Sequence, residues 1–460
     1  MRASPARRAL LRAFRATHRL ERWVLRRFTG AGRLALATLG AATVVGLDTN
    51  RTLGHQVVSL VAALLLVAML GARPPRGRLT VARALPRLAT AGERLSYRVT
   101  VSTPEPRGLT GLTVEEEPSE DTPTVAEFMA AREPEERGRN WFDRTVGYPR
   151  WQALVRRRRL ARFEAVPLPP LPPGGSAEAR CELVPARRGW LRLAGLRLTR
   201  VDPLGLVRAW TTVAAPASVL VLPRRYPVSP LPLPGARRFQ RGGVSLAGSV
   251  GDAEEFVSLR DYRPGDPLRR VHWRSWARTR RPIVREYQDQ FFVRHALVLD
   301  TFTADTDADE QRLEAAVSVA ASIAAAPLAP DALLDLLFVG DRAYAMTAGR
   351  GVGHADGLLE VLASVGPAGA RPFRDLHEAV IDRAATLSGA VLVLLTWDSG
   401  RRALAAALRA HGVPTLALVL GPATPSASAA RSATPDESAD PAEDVVRLRV
   451  GHLAEDLARL

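Results

Sequence analysis

The stretch Glu255-Phe256-Val257-Ser258-Leu259-Arg260-Asp261-Tyr262-Arg263-Pro264-Gly265-Asp266-Pro267-Leu268-Arg269-Arg270-Val271-His272-Trp273-Arg274-Ser275-Trp276-Ala277-Arg278 is unlike the rest of the chain. Between Asp252 and Asp289 nine arginines stand against seven acids, with Phe256, Tyr262, Trp273 and Trp276 interleaved. Pro264-Gly265 breaks any helix through its middle. Charges of both signs packed around aromatics predict Arg–carboxylate forks and Arg–ring stacks, which suit the flat, five-donor guanidinium and not lysine. Basic and aromatic residues in alternation also grip single-stranded nucleic acid. Here the acids would repel phosphates, so the expectation is a folded clasp at a domain junction or toward a partner. Its carriers are Arg260, Asp261, Tyr262, Arg263, Gly265, Asp266, Arg269, His272, Trp273 and Arg278. A rival reading makes Asp261, Asp266 and His272 the lining of a catalytic pocket. If they converge on a cleft they are catalytic; if they pair with Arg260, Arg263, Arg269 or Arg270 they are scaffolding.

C-terminal to the clasp, residues 295–460 read as an α/β domain. Leu297 to Leu299, Leu333 to Val339, Val391 to Leu395 and Thr415 to Leu420 are near-continuous apolar runs, as in parallel strands covered on both faces. Helix-like stretches at 309–326, 358–365, 373–387 and 401–410 separate them, which predicts a doubly wound parallel sheet. Such sheets bind ligands beyond the carboxyl ends of their strands, and Asp300 and Asp398 each fall just past such an end. Pro422 to Glu443 is a low-complexity spacer of Ala, Ser, Pro and acids, followed by a last strand-and-helix piece.

On the other side, residues 226–294 hold a linker and the clasp, and residues 78–225 read as short strands with Pro and Gly between them. Period-two alternation marks 79–83, 95–101, 179–184, 190–201 and 218–222, the signature of an Ig-like β-sandwich. An insertion at about 115–162 interrupts it, opening on Glu115-Glu116-Glu117 and closing on Arg156-Arg157-Arg158-Arg159, a run read as a solvated face answering those acids. Pro167-Leu168-Pro169-Pro170-Leu171-Pro172-Pro173 predicts a stiff, extended connection.

At the N-terminus, residues 1–33 carry ten arginines against the single acid Glu21. Two uncharged apolar runs follow within residues 34–72, Leu34 to Leu47 and Val57 to Ala72, with a short polar stretch between. Crossing a bilayer takes about 20 residues. Extending the first run back to Phe28 reaches that length, with Arg33 snorkelling to the interface. Arginine is dense before the pair and again at Arg73, Arg76, Arg78, Arg83 and Arg87, and sparse between the runs. Arginine-rich flanks stay cytoplasmic. The expectation is a two-helix transmembrane hairpin in the inner (cytoplasmic) membrane, multi-pass, with the N-terminus and the soluble domains in the cytoplasm.

The whole chain has 460 residues, room for about three domains. At 47% hydrophobic and 24% charged it is globular in composition. All 64 basic residues are arginine and the net charge is +17, which favours anionic surfaces. The excess sits beside the apolar runs, so lipid is expected and nucleic acid is not. Cys181 is the only cysteine, excluding a disulfide framework or a thiolate metal cluster. Without lysine there is no phosphate-binding P-loop. Gly243-Val244-Ser245-Leu246-Ala247 ends in Ala where a nucleophile elbow needs Gly. The eight histidines form no zinc-binding pair. These absences point away from an enzyme.

The run from Glu255 to Arg278 resembles the hallmark of the bacterial family called domain of unknown function 58. Arg188-Gly189, the later Asp202-Pro203-Leu204-Gly205-Leu206 and the double apolar run agree with it. The resemblance implies a membrane-anchored protein with a von Willebrand A-like domain, associated with a MoxR-type AAA+ ATPase. It therefore implies a non-enzymatic interaction or scaffold protein in chaperone-like or envelope-related assembly; the alternative is the catalytic role in cell-envelope metabolism. Von Willebrand A-type domains often hold Mg²⁺ through Asp-x-Ser-x-Ser, with a Thr and an Asp from later loops. Here the first motif reads Asp300-Thr301-Phe302-Thr303-Ala304: Asp300 matches, while Phe302 and Ala304 replace the serines. Asp398 stands for the late aspartate, and no middle-loop Thr is assigned. Asp300 and Asp398 are thus either a degenerate Mg²⁺ site or strand-end residues that cap loops and touch a partner.

Overall fold

The arginine-rich N-terminus is itself helical: α1 (Pro5–Arg27) is built from Ala, Leu and Arg, all good helix formers. The computed structural model describes residues 5–46, 52–118, 123, 128, 147–158, 160–228, 255–266, 268–288, 293–303, 307–326, 332–349, 355–369, 371–421 and 445–460. Contacts divide the chain into two units, Met1–Leu222 and Pro223–Leu460.

In the first unit α1 is pinned by Phe14, which is buried against Phe128 and Trp151. Helices α2 (Gly30–Gly46) and α3 (Thr52–Gly71) follow and pack on one another. Thr29 caps α2 by accepting the Gly32 amide at 3.0 Å. Among the described residues one stretch, Gly54–Gly71, is long and apolar enough to cross a bilayer. Leu65 and Ala68 turn inward, whereas Leu60, Leu66, Val67 and Leu70 face outward.

Among the described residues of this unit, nine strands and helix α4 (Tyr148–Arg158) follow. They are β1 (Thr80–Ala84), β2 (Leu88–Thr90), β3 (Leu95–Ser102), β4 (Leu112–Pro118), β5 (Ala161–Phe163), β6 (Val166–Pro167), β7 (Ser176–Pro185), β8 (Gly189–Val201) and β9 (Arg208–Leu222). One sheet runs β1-β3-β7-β5 and the other β2-β9-β8-β4-β6. Their inward residues, among them Val99, Val101 and Leu183 from the first and Val114, Leu196, Leu198 and Val219 from the second, share one apolar core. The strict alternation of β7 places Cys181 in it. Leu168 and Leu171 of the proline-rich connection are buried there too, and Leu168 donates to the Leu112 carbonyl at 2.8 Å.

The acidic triplet read as the start of an insertion belongs to β4. Alternation turns Glu116 into the core while Glu115 and Glu117 face out toward Arg197, at 3.7 and 2.6 Å. Glu116 is met by Arg83 and by the Tyr97 hydroxyl, which donates at 2.5 Å. The triplet thus answers Arg197 and Arg83; the side chains of Arg156 to Arg159 and most of the insertion lie outside the described residues.

In the second unit the clasp is an antiparallel ribbon of β10 (Glu255–Asp261) and β11 (Ile283–Gln288), joined through a turn, a short 3₁₀ stretch at Leu268–Arg270 and helix α5 (Trp273–Thr279). Then come β12 (Val293–Leu299), α6 (Asp307–Ala324), β13 (Ala332–Val339), β14 (Ala343–Ala348), α7 (Ala355–Ser364), α8 (Arg374–Ile381), β15 (Gly389–Leu394), α9 (Ser399–Ala410), β16 (Thr415–Gly421), β17 (Val445–Arg449) and α10 (Leu453–Leu457). The sheet order is β14-β13-β12-β15-β16-β17, and every pairing is parallel except that of β14. β13 and β15 are buried along their whole length, as helices on both faces require. The helix expected over 373–387 stops at Ile381, and a 3₁₀ turn at Ala384–Thr386 tightens the approach to β15. The 422–443 spacer and the Gly243–Ala247 segment lie outside the described residues.

Candidate functional site

Neighbouring strands bring the two predicted aspartates together. β12 and β15 pair in parallel, Leu299 opposite Val393, so the chain leaves both at the same edge of the sheet. Asp300 follows β12 directly, its amide donating to the Val393 carbonyl at 2.9 Å. After β15 the chain turns through Thr396 and Trp397, and Asp398 caps α9 by accepting the Arg401 amide at 3.0 Å. That cap sets Arg401 in the first turn of α9, facing back over the strand ends.

Arg401 joins the two carboxylates. Its Nε and Nη2 fork onto Asp300 at 2.6 and 3.1 Å, and its Nη1 donates to Asp398. The guanidinium lies over the Phe373 ring, 4.7 Å from the centroid. Asp300 also accepts the amides of Phe302 and Leu395, both at 3.0 Å. Asp300 has no exposed side-chain surface, Arg401 is 9% exposed and Asp398 49%. Burial opposes charge on Asp398, but the amide and guanidinium of Arg401 prevail and hold its carboxyl below the usual range. Burial likewise opposes the charge on Arg401, and the two aspartates outweigh it. Thr301 turns away from the group, donating to the Val339 carbonyl of the adjacent strand end at 2.5 Å.

Sequence reasoning placed both aspartates and missed Arg401. The available signal was the spacing Asp398-Ser399-Gly400-Arg401, three residues apart at a helix start, where side chains share a face.

The clasp is organised around Asp266. Its carboxylate takes a fork from Arg260 at 2.7 and 2.8 Å and the Arg263 amide at 2.8 Å. The Arg260 bonds and then the Arg263 amide draw its pKa down to about 2. Gly265 permits the turn, at φ +106°, a region open to glycine. Tyr262 extends the ribbon by donating its amide to the Pro282 carbonyl at 2.9 Å. His272 donates its amide to the Ile283 carbonyl at 2.8 Å, and its Nδ1 lies 2.6 Å from the Ser275 hydroxyl. Asp266 and His272 therefore each answer a neighbour within the clasp, and Asp261 is exposed. The aromatic contact is ring on ring, Trp273 stacked on Trp276 with centroids 5.2 Å apart. Trp273 is 62% exposed, and Arg269, Arg274, Arg278 and Arg281 are exposed near it in sequence. The clasp thus combines a turn bonded around Asp266 with exposed tryptophan and arginine.

Residues 258–413 match the family model described as Protein of unknown function DUF58. No curated protein matches the chain. Among solved structures, the CARDB domain of PF1109 from Pyrococcus furiosus is 13% identical over 31% of this chain and 93% of its own, with a TM-score of 0.16. AvmM, described as catalysing macrocyclization in alchivemycin A biosynthesis, is 12% identical over 33% of this chain and 94% of its own, with a TM-score of 0.18. At those scores neither likeness bears on fold or function.

Proposed function

Because the chain belongs to the DUF58 family over residues 258–413, we propose that it is a non-enzymatic, membrane-anchored interaction protein. In this reading α2 and α3 form a transmembrane hairpin in the inner membrane. The paired sheets are an Ig-like sandwich acting as a spacer, and the α/β domain is von Willebrand A-like and presents its strand ends to a partner.

The observation that carries the anchor is the turn at Asp202–Leu206. The Thr29 amide, at the start of α2, donates to the Leu206 carbonyl at 3.0 Å, and a Cβ at Gly71, the end of α3, would stand 3.6 Å from Pro203. Both outer ends of the helix pair therefore meet one turn of the sheet region, as a hairpin with both ends on one membrane face requires. Arginine density on those ends orients that face to the cytoplasm.

The partner is a MoxR-type AAA+ ATPase, a step that rests on the resemblance of the clasp motif. Its exposed Trp273 and neighbouring arginines are the kind of surface that anchors interfaces. Affinity capture of the tagged chain from detergent-solubilised membranes tests it. An AAA+ ATPase recovered with the natural chain and lost with Trp273→Ala supports the reading. Capture of no such ATPase from native membranes contradicts it.

A further inference from the structure

We propose that the guanidinium of Arg401 stands in the place a divalent cation takes in a metal-binding von Willebrand A-type domain, so that this strand-end site is assembled without metal. The residues do not fit an ion. A carboxylate offers about four lone-pair positions, and those of Asp300 are matched by four donors: the amides of Phe302 and Leu395, and Nε and Nη2 of Arg401. The serine positions that would supply further oxygens are Phe302 and Ala304. Thr301 is committed to Val339. Mg²⁺ needs oxygen ligands in near-octahedral array, but the lone pairs of Asp300 are already taken and Phe302 and Ala304 bring no side-chain oxygen.

Arg401 meets both carboxylates at once and cannot lose its charge. The Phe373 ring under its face and the capped first turn of α9 fix its position. Two carboxylates and one guanidinium leave the group with a net charge of minus one, whereas two carboxylates around a divalent ion would be neutral and open to a partner's carboxylate. Recognition at this edge therefore does not pass through a bridging metal. The inference concerns the site itself and holds whether or not the ATPase partner is found.

Titration of the purified full chain in detergent with Mn²⁺, read by the loss of free-ion paramagnetic resonance and by the thermal midpoint, tests it. The natural chain is expected to bind no Mn²⁺ saturably, and its midpoint to ignore Mn²⁺, Mg²⁺ and EDTA. Arg401→Ser frees both carboxylates; its midpoint is expected to fall without metal and to rise saturably as Mn²⁺ is added. A saturable Mn²⁺ site in the natural chain, or a midpoint lowered by EDTA, overturns the proposal. So does a folded Arg401→Ser chain indifferent to Mn²⁺. Should that variant fail to fold, the titration of the natural chain still decides.

Discussion

The side chains of Arg83 and Glu116 are each only 3% exposed, beside a core that is mostly aliphatic. Burial pushes the Glu116 carboxyl and the Tyr97 phenol up, and the Arg83 fork is what keeps a charge there tolerable. Arg83→Met leaves the carboxylate without its cation and should cost about 3–5 kcal/mol in denaturant unfolding, while Arg83→Met with Glu116→Leu should recover most of that. His295 is a second case: it is buried on β12, its Nδ1 has no hydrogen-bond partner among the described residues, and burial lowers its pKa. The unfolded chain then binds the proton more tightly, so the stability tied to neutral His295 is present above about pH 6.5 and is lost as pH falls below it. Thermal midpoints across that range should decline for the natural chain and flatten for His295→Leu. A third is Cys181, whose thiol burial pushes up to about 11. Thiol reagents should therefore label the native chain hardly at all and the unfolded chain fully.

Among the elements, the turn after β8 ties helices to sheet. The Asp202 carboxylate accepts the amides of Leu204, Leu206 and Val207 at 2.8, 2.7 and 2.6 Å, and the Leu206 carbonyl leaves no room for a Cβ at Gly32. Asp202→Ala strands these amides, and a loss of about 2–4 kcal/mol is expected; Gly32→Ala should cost about 1–3 kcal/mol through overpacking. Both are read by thermal unfolding in detergent, and an unchanged midpoint would disprove the role of the turn. β3 and β7 were legible because inward and outward residues alternate along them, and β8 because its first half alternates before the register shifts between Leu193 and Gly195. β2, β5 and β6 were not, since two or three residues carry no period. β4 was hidden by three successive glutamates, one of which is neutralised by residues far off in sequence. β14 was missed because its alanines give an edge strand little apolar contrast. The same distinction governs the site: Asp300 and Asp398 follow from strand ends, but the Arg401 fork spans 101 residues and exists only once β12 and β15 are neighbours.

At the scale of the whole molecule, membrane anchoring turns on what faces the outward apolar flank of α3. Leu60, Leu66, Val67 and Leu70 are each more than half exposed, an arrangement water disfavours and lipid satisfies. The chain should stay with membranes through high-salt and alkaline carbonate washes and leave them only with detergent. Since Cys181 is the sole cysteine and buried, introduced thiols can be read against a silent background. The most direct measurement labels intact cells with a membrane-impermeant maleimide, comparing Asp48→Cys, between the two apolar runs, with Leu460→Cys at the C-terminus. Labelling of Asp48→Cys alone, with Leu460→Cys reacting only after the membrane is opened, is the predicted result. Labelling of Leu460→Cys in intact cells would contradict it.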